Sequence, residues 1–203
     1  MTDPIPQALH ELADRSVVMA DLIDRHGPYE PRPTENPDVF ASLARAIVYQ
    51  QLAGRAAATI HERFSGLLDG DVSPQAVLAA DPEALRGAGL SRAKRDAVLD
   101  LARHAQDGLL DLAALETLDD EALVRRLCRV RGVGPWTAQM FLIFQLGRLD
   151  VWPTADLGVR RGFGLAFGHP ETPTAKALEP LGDEFRPYRS IVAWYCWRVA
   201  DAA

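Results

Sequence analysis

Apolar residues recur along this chain at the spacing of α-helices, with polar residues between them. One set begins after Asn36 and follows the i, i+3, i+4, i+7, i+8 pattern of a single helical face. Its members are Phe40, Leu43, Ala44, Ile47 and Val48, and a second face consists of Ala56, Ile60, Phe64 and Leu67. The sequence contains no convincing pair of alternating strands and no Asn-Gly hairpin turn. The pattern therefore predicts an all-α protein of many short helices.

Polar residues followed by proline mark the starts of several helices. An N-cap side chain accepts a hydrogen bond from the first helical turn, and proline fits the first helical position. This pair occurs at Asn36-Pro37, Ser73-Pro74 and Asp81-Pro82. Further helices are predicted to begin after Ser91, at Asp119 or Asp120, at Asp156 or its neighbour, and at Pro187. Another helix is predicted from Pro135 to Gly147.

The composition is that of a folded globular protein. The 203 residues are 48% apolar, which suits one large domain or two lobes. The acidic N-terminus does not resemble a secretory signal, and we expect no membrane span. Cys128 and Cys196 are too few for a disulfide framework, an iron–sulfur cluster or a four-cysteine zinc site. We expect two buried thiols in a reducing, cytoplasmic environment.

The charge distribution allows two interpretations. A net charge of -6 counts mildly against a nucleic-acid partner. The 22 basic side chains, however, include only the lysines Lys94 and Lys176, and the arginines cluster in residues 91–95, 125–132 and 158–162. These clusters indicate either a DNA-binding face or a solvated surface in an arginine-rich chain.

The stretch "RGVGPWTAQMFLIF", residues 131–144, predicts a tight glycine turn before an apolar helix. Gly132 and Gly134 allow close approach to the backbone, and Pro135 fits the first helical turn. The amides of that turn favour an anion such as a DNA phosphate, and Arg129 and Arg131 flank them. An ordinary connection between two helices with a glycine cap is the alternative.

The longer segment "VRGVGPWTAQMFLIFQLGRLDVWPTADLGVRRG" closely resembles the hairpin, loop and aspartate of the helix–hairpin–helix DNA glycosylase superfamily. The segment "FASLARAIVYQQLAGRAAATIHERF" is similar to the 3-methyladenine DNA glycosylase II branch. The resemblance covers roughly residues 36–200. It implies two helical lobes with the active-site cleft between them. Lobe one would comprise about residues 36–125, and lobe two about residues 1–35 and 126–203. The hairpin would lie at residues 128–136. We expect no additional N-terminal β-rich domain.

The resemblance implies that Asp156 is the catalytic carboxylate. A carboxylate near the oxocarbenium-like sugar stabilises the transition state more than the ground state, by about 3–4 kcal/mol for one preorganised group. Asp156 also fits an N-cap, and the two roles are compatible. Asp150 is a second candidate, but it lacks the motif position, and we interpret it as a structural cap.

The resemblance also implies a base pocket and a wedge. Trp136 occupies the position at which a lysine forms a Schiff base in members that cut the strand, so we expect no β-lyase activity. Trp136, Met140 and Trp197 are implied to line the base pocket, although the branch has an aromatic residue where Met140 lies. Gln51 or Leu52 is implied to fill the space left by a flipped base. The alternative for both tryptophans and for Leu52 is a role in the core.

The hairpin of this superfamily is implied to contact DNA phosphate through Gly132, Gly134, Thr137 and Arg131. It often holds a monovalent cation, and the carbonyls of Val130, Gly132 and Val133 are the ligands implied for Na⁺ or K⁺. We expect no required cofactor. The five histidines lack the spacing of zinc ligands, so no catalytic zinc is predicted.

The resemblance favours a monofunctional glycosylase of base excision repair that removes 3-methyladenine and 7-methylguanine from duplex DNA. The sequence gives no sign of a permanent oligomer, so we expect a monomer. Its location would be the cytoplasm, or the nucleoid in a bacterium. Etheno-adducts, hypoxanthine and methylated pyrimidines remain alternative substrates. A non-catalytic DNA-binding module and a helical protein-interaction domain remain alternative classes, although neither explains Asp156 together with the glycine hairpin.

Overall fold

The computed structural model describes residues 4–30, 38–111, 115 and 117–203. Every regular element within these ranges is helical, so the all-α prediction is confirmed for them. The α-helices with both ends in these ranges are α1 (Ile5–Arg15), α2 (Val17–His26), α3 (Val39–Tyr49), α4 (Gly54–Leu67), α5 (Pro74–Ala79), α6 (Pro82–Gly87), α7 (Arg92–Gln106), α8 (Asp120–Leu127), α9 (Pro135–Phe144), α10 (Leu157–Ala166), α11 (Ala175–Leu181) and α12 (Arg189–Ala202). Among the described residues, no helix has the length and apolarity needed to cross a membrane.

Side-chain caps explain where most of the predicted helices begin. Each cap oxygen accepts a backbone N–H of the first turn, which otherwise lacks a partner within the helix. The predicted caps Ser73, Asp81, Ser91 and Asp156 are confirmed, and Asp119 rather than Asp120 caps α8. Helices α1, α2 and α11 lie outside the predicted helices, although Ser16 caps α2 and Thr174 caps α11.

One predicted helix start lies outside the described residues, and two other predicted helix boundaries are wrong. The Asn36-Pro37 start lies outside the described residues, and α3 begins at Val39 with the Asp38 side chain accepting from Ala41 N at 2.9 Å. Helix α9 ends at Phe144 rather than Gly147. The last helix begins at Arg189 rather than Pro187, because Tyr188 has the non-helical backbone angles φ -122 and ψ 26.

The chain packs into two compact units. One consists of Met1–Pro33 with Leu142–Ala203, and the other is Thr34–Phe141. The hairpin residues 128–136 fall in the central unit. The predicted lobes differ from these bounds mainly in placing residues 126–141 with the termini. A cleft between two lobes stays a prediction.

In the unit that contains both termini, α10 and α12 pack closely. A Cβ atom added at Gly162 of α10 would lie only 1.8 Å from the Cys196 carbonyl oxygen of α12. Gly162 therefore allows the two helix backbones to approach. Around this contact lies a buried core that includes Leu12, Met19, Leu22, Phe163, Phe185 and Tyr195.

In the central unit, α3 packs against α4 and α7. The apolar face predicted for α3 is confirmed, because all five of its members are buried. Of the face predicted for α4, only Phe64 is buried; Ile60 is half-buried, and Ala56 and Leu67 are exposed. The buried residue beside Phe64 in this helix is Ala57, which the predicted face did not include. One of the two thiols also differs from the expectation that both are buried. Cys196 is buried, but Cys128, at the end of α8, is only half-buried.

Candidate active site and hairpin

Asp156 lies at the N-terminus of α10, where its side chain accepts two hydrogen bonds. Oδ1 accepts from the backbone N–H of Val159 at 2.9 Å, which makes Asp156 the N-cap of the helix. The same oxygen accepts from the indole Nε1 of Trp197 at 2.9 Å. Two donors from different helices thus fix the orientation of this half-buried carboxylate.

Trp197 reaches Asp156 because α10 carries glycines on the face that meets α12. A Cβ atom at Gly158 would lie 2.8 Å from Trp197 Cδ1 and 3.1 Å from Asp156 Oδ1. Gly158 and Gly162 are four residues apart and therefore share a helical face. Phe144 stacks on the Trp197 ring, with centroids 5.6 Å apart. Sequence reasoning did not single out Phe144, although it follows Met140 by one helical turn.

Trp136 and Met140 lie on α9, one helical turn apart. Trp136 is 45% exposed, which is unusual for so large an apolar side chain, and Met140 is half-buried. Exposure of Trp136 agrees better with a ligand-facing role than with a core role. Their pocket role together with Trp197 stays a prediction.

The glycine turn between α8 and α9 has the backbone that the sequence predicts. Gly132 has φ +79, and a Cβ atom there would lie 3.0 Å from the Ala97 side chain. Gly134 precedes α9 with open space around its Cα. The amide of Arg131 donates to Asp100 Oδ2 at 2.8 Å, so an internal carboxylate already occupies that amide. The Arg131 side chain is largely exposed, and its Nη1 lies 3.9 Å from Asp96 Oδ2 in a long ion pair.

Two of the carbonyls predicted as cation ligands accept hydrogen bonds from within the protein. The Gly132 carbonyl accepts from Gln50 Nε2 at 3.0 Å, and the Val130 carbonyl accepts from Val133 N at 3.1 Å. A carbonyl oxygen has two lone pairs, so one hydrogen bond leaves a position for a cation. The ligand set of Val130, Gly132 and Val133 stays a prediction. Across the described residues, no group of three or more metal-binding side chains is present.

The predicted wedge residues form an exposed turn after α3. Gln51 has φ 56, a left-handed backbone conformation that residues other than glycine rarely adopt. Leu52 is 39% exposed and follows directly. An apolar side chain presented on a tight exposed turn has the shape required of a wedge. The geometry does not favour one of the two residues over the other.

The arginine clusters prove to be partly structural. Arg126 donates to the carbonyls of Leu109 and Gly108, both at 2.8 Å. Arg125 pairs with Glu121 at 3.4 Å. These two arginines therefore contribute to packing and to a surface ion pair of small energetic value.

Two further basic residues are also engaged. Arg160 donates to the carbonyl of Pro173 at 3.3 Å, and Lys94 Nζ donates to the carbonyl of Val48 at 2.7 Å. Partial burial lowers the pKa of Lys94. Arg161, in contrast, is exposed.

Asp150 has the structural role that its position suggests. Its carboxylate accepts from Arg189 Nε at 2.7 Å and Nη2 at 3.0 Å, and from Arg186 Nη1 at 3.0 Å. Its Oδ1 also lies 3.5 Å from the Arg189 backbone N, at the start of α12. This network supports the interpretation of Asp150 as a structural residue, and the catalytic role of Asp156 stays a prediction.

The glycine turn between α8 and α9 defines a helix–hairpin–helix protein. A family model described as HhH-GPD superfamily base excision DNA repair protein matches residues 44–187. The chain belongs to this superfamily.

Relatives support the same assignment. The chain is 33% identical to DNA-3-methyladenine glycosylase 1 of Schizosaccharomyces pombe, across 90% of this chain and 82% of the relative. It resembles the crystal structure of a DNA-3-methyladenine glycosidase from Bacillus halodurans with a TM-score of 0.87 and 33% identity, covering 98% of this chain and 89% of that one. It also resembles the 3-methyladenine DNA glycosylase of S. pombe in complex with abasic DNA, with a TM-score of 0.82, 31% identity and 95% coverage of both chains.

Proposed function

We propose that this protein is a monofunctional DNA glycosylase that removes alkylated purines, including 3-methyladenine and 7-methylguanine, from duplex DNA. The observation that carries the proposal is the Asp156 carboxylate, which a tryptophan and a helix amide hold in one orientation. Family membership and the names of the relatives support the substrate class.

Asp156 acts in this proposal as an electrostatic stabiliser. Cleavage of an N-glycosidic bond develops positive charge on the deoxyribose, and a fixed carboxylate stabilises that charge without first having to reorient. The hydrogen bonds to Val159 N and Trp197 Nε1 supply this fixed orientation. Water then completes hydrolysis at the sugar.

The aromatic residues support an alkylated purine as the base. Such a base carries positive charge, which is attracted to the electron-rich face of an indole ring. The exposed ring of Trp136 offers such a face. The same charge weakens the glycosidic bond, so the leaving base requires little protonation. Met140 lacks an aromatic face, and this leaves etheno-adducts, hypoxanthine and methylated pyrimidines as alternative substrates.

Binding to duplex DNA is proposed for the hairpin and for the turn after α3. The amides of Gly132, Gly134 and Thr137, with the exposed Arg131 side chain, would contact a phosphate independently of base sequence. Gln51 or Leu52 would fill the space left by the flipped base. We expect the protein to act as a monomer.

The proposal includes no strand cleavage. A lyase needs an amine that attacks the sugar as a nucleophile, and Trp136 occupies the hairpin position of that lysine. Borohydride trapping on methylated duplex DNA checks this point, because it reduces a Schiff base to a stable protein–DNA adduct. We expect no adduct. An adduct that disappears in Lys94→Arg would instead assign a lyase role to Lys94, whose amine has a lowered pKa.

A non-catalytic DNA-binding module is the competing class, and Asp156→Asn separates the two. Asparagine keeps an oxygen acceptor for Val159 and Trp197, removes the charge and replaces the second carboxylate oxygen by an NH₂ group. Release of free bases from methylated duplex DNA, measured by chromatography, should fall about 10²–10³-fold, in line with the loss of one preorganised group. Affinity for undamaged duplex should not decrease. Asp201→Asn, which removes the same charge from an exposed position, serves as the control.

The outcome decides among the alternatives. Release by the wild type but not by Asp156→Asn supports the glycosylase mechanism, and the released bases identify the specificity. Binding without release by the wild type would reject alkylpurines as the substrate. The same assay on duplexes that contain ethenoadenine or hypoxanthine would then separate another substrate from a binding-only role.

A further inference from the structure

Gln50, at the C-terminal end of α3, contacts the hairpin with its side chain. Its Nε2 donates to the Gly132 carbonyl at 3.0 Å and to the Thr137 hydroxyl oxygen at 3.1 Å. These acceptors follow Gln50 by 82 and 87 residues in the chain. One carboxamide group therefore joins the turn after α3 to both the glycine turn and the first turn of α9.

A second contact, from α7, fixes the end of α3 just before this turn. Lys94 Nζ donates to the Val48 carbonyl at 2.7 Å, two residues before Gln50. The next residue along the chain, Gln51, has φ 56, a conformation that residues other than glycine rarely adopt. The Leu52 N–H donates to the Tyr49 carbonyl at 3.4 Å and closes the turn around Gln51, and the contacts of Gln50 and Lys94 attach this turn to the hairpin and to α7.

The contact also has a consequence for Thr137. A hydroxyl group has one hydrogen to donate and lone pairs that accept. Because Gln50 donates to Oγ1, the Thr137 hydroxyl uses an acceptor position in this bond and retains its hydrogen for another acceptor. Thr137 is buried, so its contact with Gln50 lies within the protein.

We propose that Gln50 is a positioning residue that fixes the wedge turn, residues 50–52, relative to the phosphate-binding hairpin. This inference rests on the proposed function. A phosphate held at the hairpin sets the register of the DNA. A wedge at a fixed distance from that phosphate then enters the duplex at the flipped nucleotide. Gln50 itself does not contact the reacting atoms.

A purely structural role for Gln50 predicts a different result. Loss of a structural contact lowers excision of every substrate alike, because it lowers the amount of competent enzyme. Loss of wedge positioning lowers excision most where extrusion of the base is costly. A paired base costs more to extrude than a mismatched one. The ratio of the two excision rates therefore distinguishes the roles.

The test uses Gln50→Met, which has similar length and no amide donor. Single-turnover excision of 7-methylguanine is measured in two duplexes that differ only in the opposite base, cytosine or thymine. With cytosine opposite, loss of two hydrogen bonds should slow excision about ten-fold. With thymine opposite, the rate should stay within about two-fold of the wild type. Gln106→Met, at an exposed glutamine at the end of α7, should change neither rate.

Gln50→Asn provides a second variant if the first folds poorly. It keeps the amide but is one methylene shorter, so it should show the same selective loss. Equal losses on both duplexes, or no loss on either, would overturn the positioning role. Failure of the wild type to release 7-methylguanine from both duplexes would instead reject 7-methylguanine as a substrate, and the inference drawn from it. The wild-type reactions thus separate the two failures.

Discussion

The indole Nε1 of Trp197 donates a hydrogen bond of 2.9 Å to Asp156 Oδ1, across 41 residues of the chain. Trp197 therefore contacts the proposed catalytic carboxylate directly, in addition to the base-pocket role that the family resemblance implies. The bond uses the edge of the indole ring, so the faces of the ring are available for stacking. Phe144 stacks on one of them.

Trp197→Phe should separate the hydrogen bond from the ring. Phenylalanine keeps an aromatic ring but has no N–H donor, so the carboxylate loses the hydrogen bond from the indole. Because a hydrogen bond to a charged group contributes about 1.5–3 kcal/mol, excision should fall by about ten-fold to a hundred-fold. Single-turnover excision measures the loss, and the control is Trp194→Phe, a buried position on the same helix.

A double variant tests whether Trp197 acts through Asp156. If it does, adding Trp197→Phe to Asp156→Asn should cause little further loss, because the charge on which the bond acts is already absent. Fully additive losses would instead show that Trp197 contributes independently, for example by stacking on the base.

Gly158→Ala should disturb the contact between Trp197 and Asp156. The added methyl group would lie 2.8 Å from Trp197 Cδ1 and 3.1 Å from Asp156 Oδ1, which is too close for either contact to persist unchanged. Excision should fall at least as far as in Trp197→Phe, and the free energy of unfolding should decrease. Urea unfolding and base release measure the two effects.

Gly66→Ala is the matched control for this change. Gly66 lies in α4, where an added Cβ atom meets nothing within 4 Å. Alanine is favoured over glycine in a helix by about 0.5–1 kcal/mol, so this variant should be more stable and fully active. Equal activity of the two glycine variants would contradict the close contact at Gly158.

Local chemistry explains which parts of the fold could be predicted. Caps such as Ser73, Ser91 and Asp156 accept hydrogen bonds from residues three positions later, so their signal lies within a few letters of sequence. The last helix is different. It begins at Arg189, which contacts Asp150, a residue far away in the chain. The local sequence pattern predicted a start at Pro187.

The candidate site likewise contains residues that the sequence predicts and contacts that it does not. The hairpin glycines and Asp156 follow from motif spacing, because each serves a local backbone need as well as a proposed functional one. The contacts of Gln50 with Gly132 and Thr137 depend on how α3 packs against the hairpin. Sequence spacing alone contains no information on that packing, so the contacts of Gln50 could not be predicted.

Gly132→Ala should destabilise the hairpin. Its φ of +79 disfavours a side chain, and the new methyl group would lie 3.0 Å from the Ala97 side chain. The left-handed conformation alone costs about 1–3 kcal/mol for a residue other than glycine. Urea unfolding should show a loss of this size, and DNA affinity should decrease with it.

Gly134→Ala tests how closely DNA approaches the hairpin in a variant whose stability should be almost unchanged. No atom lies within 4 Å of the added Cβ, so the free energy of unfolding should change by less than about 1 kcal/mol. A loss of affinity for duplex DNA in this stable variant would support close approach of a phosphate at Gly134. Unchanged affinity would limit the phosphate contact to the other hairpin residues.

His61 should contribute to the pH dependence of stability. Burial and the nearby Arg45 lower its pKa from the ordinary value of 6.5. The folded protein therefore binds this proton less readily than the unfolded chain, and stability should fall as the pH drops below about 6.5 toward the folded-state pKa. His61→Gln removes this contribution. The decrease in unfolding free energy between about pH 7.5 and pH 5.5, measured in urea, should be smaller in the variant than in the wild type. An identical decrease in both proteins would show that His61 keeps its ordinary pKa in the folded state and that other groups set the acid sensitivity.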